Sequence, residues 1–103
     1  MKLRINEAIE LHNYRKERAN IKAKQPSHKG KLNGGLLGRM LFPNQQETTM
    51  YVSMNNLRNG KTKGVKLEQI DVICTACGVD PNFVLGWPSK NDKEFNQINK
   101  HEQ

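Results

Sequence analysis

Two cysteines, one tryptophan and an aromatic share of 6% are what this 103-residue chain has least of. Two cysteines cannot form the disulfide framework on which small secreted domains rely, so a reducing, cytoplasmic setting is expected. Hydrophobic residues make up 35%, and with so few aromatics the core must be small. The length allows one domain rather than two, near the lower size limit for folding alone. No run approaches the roughly 18 consecutive apolar residues of a membrane helix. The opening MKLRINEAIEL carries charges where a signal peptide needs an apolar stretch, so no secretion signal is expected. Catalytic signatures are missing as well: there is no G-x-x-x-x-G-K, no H-E-x-x-H and no G-x-S-x-G. Ser27 and His28 are adjacent, but nothing orients them. The reading is therefore of a protein that is not an enzyme, needs no cofactor and leaves no room for an effector domain.

Positive charge is what the chain has in excess: 17 Lys and Arg against 10 acids, a net charge of +7. Residues 1–40 hold ten cations and three acids, residues 41–66 four and one, residues 67–103 three and six. One half is built to meet an anion, which favours a polyanionic partner.

Periodicity predicts an all-α chain of about five helices, with no internal repeat and no strand. A first helix over Arg4–Glu17 follows from Ile5, Ala8, Ile9 and His12. The stretch RKERANIKAKQPSHKGK, Arg15–Lys31, has seven cations and one acid and reads as a mobile or lightly ordered basic loop. In a short second helix Leu36, Leu37, Met40 and Leu41 turn inward, Pro43 ends it, and close packing accounts for Gly38. The third helix spans about 48–58, with Thr48 or Thr49 as N-cap, Met50, Met54 and Leu57 on one face, and Asn59-Gly60 as its stop. The fourth runs from Leu67 to Cys77, buries Leu67, Ile70, Ile73/Cys74 and Cys77, and ends at Gly78. Asp80-Pro81 then starts a very short fifth helix with Phe83, Val84 and Leu85, ended by Gly86 and Pro88. The boundaries are 1–88 for the domain and 89–103 for a polar, flexible tail with only Phe95 and Ile98 as apolar anchors.

The third helix carries the strongest chemical signal. Away from its Met50/Met54/Leu57 stripe stand Thr49, Tyr51, Val52, Ser53, Asn55 and Asn56, all uncharged, in a chain that is 26% charged. Asn pairs bidentately with adenine, and Tyr or Val can touch a thymine methyl, which suits a helix in the major groove. The competing reading is a polar helix against solvent or a packing surface. Arg39, Arg58, Lys61, Lys63 and Lys66 flank it and fit phosphate contacts; five such contacts give a salt slope near −4.5. The basic loop could lie along the backbone, reach a minor groove, or be merely disordered. Cys74-x-x-Cys77 lies at i, i+3 on a buried stripe and reads as core rather than metal site, since His12, His28 and His101 fall in three unlike segments. Trp87 reads as a cover for the end of the core, with a dimer contact as the alternative.

The segment GVKLEQIDVICTACGVDPNFVLGW resembles the closing helices of the Cro/repressor, or lambda-repressor-like, helix-turn-helix family. NLRNGKTKG resembles the end of that family's recognition helix and its basic turn, with Leu57 on a core position and Lys61 and Lys63 facing phosphates. LNGGLLGRMLF is similar to the first helix of the motif, Leu37 and Gly38 standing where the family has Leu-Ala, and YRKERAN to the end of the family's helix 1. About residues 4–87 are covered. The chain departs from the pattern in about a dozen extra residues after helix 1, a turn about six residues longer before the third helix, with Phe42-Pro43 in place of the family's Gly, and a slightly long turn after Gly60. The resemblance implies a sequence-specific regulator of transcription in a prokaryotic, phage or plasmid setting. It would occupy double-stranded DNA as a homodimer, on half-sites about 34 Å apart, with Leu85–Pro88 in the dimer contact. The alternatives are a non-specific or RNA-directed binder and an antitoxin-like interaction module.

Overall fold

Apolar residues recur at helical spacing from the third residue onward, and helices are what forms. The computed structural model describes the backbone of residues 2–102 and the side chains of residues 2–98. Among the described residues there are six helices and no strand: α1 Ile5–Lys22, α2 Gly34–Leu41, α3 Glu47–Arg58, α4 Leu67–Cys77, α5 Pro81–Leu85 and α6 Asp92–Glu102. No described helix is long and apolar enough to cross a membrane.

One core joins them. Ile5, Ala8 and Leu11 of α1 meet Leu37 of α2, the Met50, Met54 and Leu57 stripe of α3, Ile73 and Cys77 of α4, and Phe83 and Val84 of α5. α2 lies directly on α3, and the contact point is Gly38: a Cβ there would overlap the Met50 sulfur and stand 2.7 Å from Met54 Cγ. The absence of a side chain lets the two backbones approach, as the glycine's place in a helix suggested. α4 ends where expected, at Gly78 with φ +69, and Asp80 caps α5 by accepting the Phe83 amide at 2.9 Å.

Several expectations need correction. α1 extends five residues past Glu17, because Asn20 is buried and holds the chain that turns back along the helix. In α2 only Leu37 and Gly38 are buried, while Leu36 and Met40, four apart on the opposite stripe, are exposed. Neither Thr48 nor Thr49 caps α3: Gln46 does so without a side-chain bond, and its carbonyl already accepts the Met50 amide at 2.8 Å. Leu67, the first residue of α4, precedes the point where that helix reaches the core and is 85% exposed.

The segment after Ser89 is not a frayed tail through the described residues. It forms α6, whose Ile98 is buried and whose Phe95 stands edge-on to Phe83 at 5.7 Å. Arg4 binds Asp92 at 3.1 Å and Glu7 at 2.5 Å while its guanidinium lies 4.1 Å over the Phe83 ring. Burial opposes that charge, but the two carboxylates outweigh it and the Arg4 pKa is raised. A second tie runs from Arg15 to Glu94 at 2.5 Å. Acids in the first turn of α6, Asp92 and Glu94, also interact favourably with the positive end of its helix dipole. Gln103, the last residue of the expected tail, lies outside the described residues.

Candidate nucleic-acid interface

Helical spacing of about 100° per residue distributes the expected base-reading residues over three directions. Val52, Asn55 and Asn56 lie opposite the Met50/Met54/Leu57 stripe and are exposed. Thr49 and Ser53 turn to one flank. Thr49 is exposed, but Ser53 is half-buried and donates to Gln45 Oε1 at 2.9 Å. Ser53 and Asn56 also border a shallow cleft of about 300 Å³ shared with Phe42, Leu57, Thr62 and Gln69. Tyr51 turns to the other flank, where its hydroxyl reaches the start of α2: a Cβ on Gly35 would be 2.7 Å from it. The outer strip of α3 is thus Thr48, Val52, Asn55 and Asn56, with Tyr51 at its edge. Thr48 was missed as a surface group because its residue type suggested a cap; the helix starting at Glu47 makes it an exposed position.

The five flanking cations are not equivalent. Lys61, Lys63 and Lys66 are exposed and follow one another on the turn between α3 and α4. Arg39 is exposed but 3.4 Å from Glu47, the only acid on α3. Arg58 differs from the expectation of an open phosphate contact. It is half-buried, with its guanidinium laid across the first turn of α2, so that a Cβ on Gly34 would be 2.7 Å from Cζ. Its Nε is the only buried side-chain nitrogen or oxygen without a hydrogen-bond partner among the described residues. The absence of a Cβ at Gly34 makes that position possible.

The cysteines stand apart from this surface. Cys77 is fully buried, and burial pushes its thiol up to about 11; Cys74, half-buried, is raised by burial first and by Asp80 and Asp71 second. Both behave as core groups on α4. His12 Nε2 is 3.0 Å from the Gly30 carbonyl, His28 is exposed, and the side chain of His101 lies outside the described residues. Trp87 does not cover the core: it is 62% exposed beyond Gly86, whose φ of +82 ends α5. Comparisons with protein-family models, with curated proteins and with solved structures find no match for this chain.

Proposed function

We propose that this protein is a sequence-specific duplex-DNA-binding regulator of transcription of the Cro/repressor type, with α3 as the helix that reads the major groove. The observation that carries the reading is the outer strip of α3. Val52, Asn55 and Asn56 are solvent-exposed and uncharged, while Lys61, Lys63 and Lys66 follow directly on the adjoining turn. Such a pattern separates base-edge contacts from backbone contacts, which is the division of labour in DNA recognition.

Further features support the same reading. α2 and α3 are joined by Phe42–Gln46, five residues, so the connection is closer to the 3–4 residues of a helix-turn-helix than the sequence suggested. The first amides of a helix have no partner within it, and at α2 the Asn33 side chain takes up the Leu36 amide alone. Arg58 adds a cation at that same helix start, where a phosphate would meet both. The protein acts by occupying an operator, not by catalysis. A second copy completes a two-fold reader, with exposed Trp87 in the Leu85–Pro88 contact.

Selection from a random duplex library, with excess non-specific competitor, tests the proposal. An enriched palindrome is expected, and Asn55→Ala should relax its base preference at about 1–3 kcal/mol. Binding without any enriched motif, or an Asn55→Ala loss equal on every sequence, removes α3 as the reader.

A further inference from the structure

We infer that residues 15–31 form a stiff basic finger that lies along backbone phosphates beside the stretch of duplex read by α3. This rests on the DNA-binding reading above and adds a second contact surface to it.

The finger is built, not loose. α1 carries buried residues at Ile5, Ala8 and Leu11, and then leaves the core: Lys16 to Ala19 are all exposed. The chain beyond Lys22 turns back and is bound to α1 at successive levels. Asn20 Nδ2 donates to the Ser27 and Lys29 carbonyls at 3.2 and 2.7 Å, and the Asn20 carbonyl accepts the Gln25 amide at 2.8 Å. Lys16 lies over Gly30, and His12 reaches the Gly30 carbonyl. Asn13 exchanges two hydrogen bonds with the Leu32 backbone, at 2.8 and 2.7 Å. Positions 12, 16 and 20 are four apart, so these ties run along one face of the helix.

From Asn13 to Lys22 the helix advances roughly 14 Å. The radius of gyration, 14.1 Å, accordingly exceeds the roughly 13 Å of a compact chain of this length, and the long axis is 39 Å. The base of the finger adjoins the proposed interface. Leu32 is followed by Asn33, the cap of α2, and the next two residues, Gly34 and Gly35, touch Arg58 and Tyr51 of α3.

Its charge fits a polyanion. Seven cations and one acid stand in residues 15–31. Arg15 is engaged by Glu94 at the base, and Glu17 pairs with Lys31 at 3.6 Å, leaving Lys16, Arg18, Lys22, Lys24 and Lys29 without a carboxylate within salt-bridge range among the described residues. Lys24, near the tip, has φ +56 and is the only non-glycine residue with positive φ among those described. Glycine would hold that backbone at lower cost, so the lysine stands there against conformational preference. A helix is about 10–12 Å across and the minor groove about 6 Å wide, so the helical part of the finger, up to Lys22, stays outside that groove. A stiff helical finger therefore meets phosphates from outside, and a duplex presents a charge every ~1.7 Å of its axis.

The test compares wild type, the triple variant Lys22→Gln/Lys24→Gln/Lys29→Gln, and Lys24→Gly on one long duplex across a salt series. Library selection is run on each alongside. The triple variant should flatten the slope of log K against log salt by about 2.7, with the selected sequence unchanged. Lys24→Gly should raise the thermal midpoint by about 4–8 °C while flattening the slope by about 0.9. A wild type that selects a sequence, with a triple variant that keeps the full slope, overturns the finger alone. A flattened slope without any selected sequence upholds the finger and overturns α3 as a reader. No wild-type binding to any duplex overturns both.

Discussion

Replacing Gly38 by alanine sets two opposite rules against each other. In an exposed helix interior, Gly→Ala gains about 1 kcal/mol from propensity. At Gly38 the new Cβ would stand 2.7 Å from Met54 Cγ and 3.2 Å from Met50 Cγ, and would overlap the Met50 sulfur. Carbon atoms pack at about 3.5–4.0 Å, so the approach to Met54 is short by roughly 1 Å. The Met50 sulfur can swing away on its flexible chain, but Met54 Cγ is one bond from Cβ and moves only by a change of the whole side chain's χ1 rotamer. Both methionines are 1% exposed, so no free space receives them. Overpacking of this kind costs about 1–3 kcal/mol, which offsets the propensity gain and leaves a net loss of up to about 2 kcal/mol. For a domain of this size that lowers the thermal midpoint by up to about 15 °C. Urea unfolding followed by circular dichroism measures it, with Gly64→Ala as control because a Cβ there meets nothing within 4 Å. In a Met54→Ala background the same change should do less harm, giving a coupling of about 0.5–3 kcal/mol. Stabilisation by Gly38→Ala, as for an ordinary helical glycine, would refute close approach of α2 and α3 at this point.

Arg4→Ala removes two partly exposed ion pairs and the cation over Phe83, a loss of about 1–2 kcal/mol. Hydrogen exchange should quicken at α6 before α3, and equal quickening in both would deny Arg4 a special role in seating α6. Cys77 predicts an alkaline effect. Its folded pKa is raised from 9.0 to about 11 by burial, so the folded state holds the proton that the unfolded chain releases. The stability is complete below about pH 9 and falls as pH rises towards 11, by about 2–3 kcal/mol. Comparing urea midpoints of wild type and Cys77→Ala over that range isolates the effect, and parallel curves for the two proteins would refute it.

The helix ends of α4 and α5 were legible because their signals are local. Gly78 and Gly86 take the positive φ that ends a helix, Asp80-Pro81 is a cap followed by a first helical position, and α4 has the bounds its apolar spacing implied. On α3 the inward methionines were equally legible, and their periodicity defined the outer strip by elimination. Arg58 was not. Its seat depends on a glycine 24 positions earlier in the chain, and no helical period relates the two.

The two larger misreadings, at the basic stretch and at α6, have one physical cause. Hydrophobic periodicity registers a segment only where it is held by apolar burial. The described residues contain two buried polar or charged residues, Asn20 and Asn91, and each sits at one of these misread segments. Asn20 binds the carbonyls of Ser27 and Lys29. Asn91 accepts the Asp80 amide at 3.0 Å and so ties the start of α6 to the cap of α5. A buried amide is costly unless it is bonded, so such a residue selects the one backbone path that satisfies it. With a core this small, polar anchors of this kind can order segments that apolar area alone would leave loose. A lysine-rich stretch and a polar C-terminal segment therefore look disordered by composition, yet acquire defined paths from sets of ties in each of which a buried asparagine takes part.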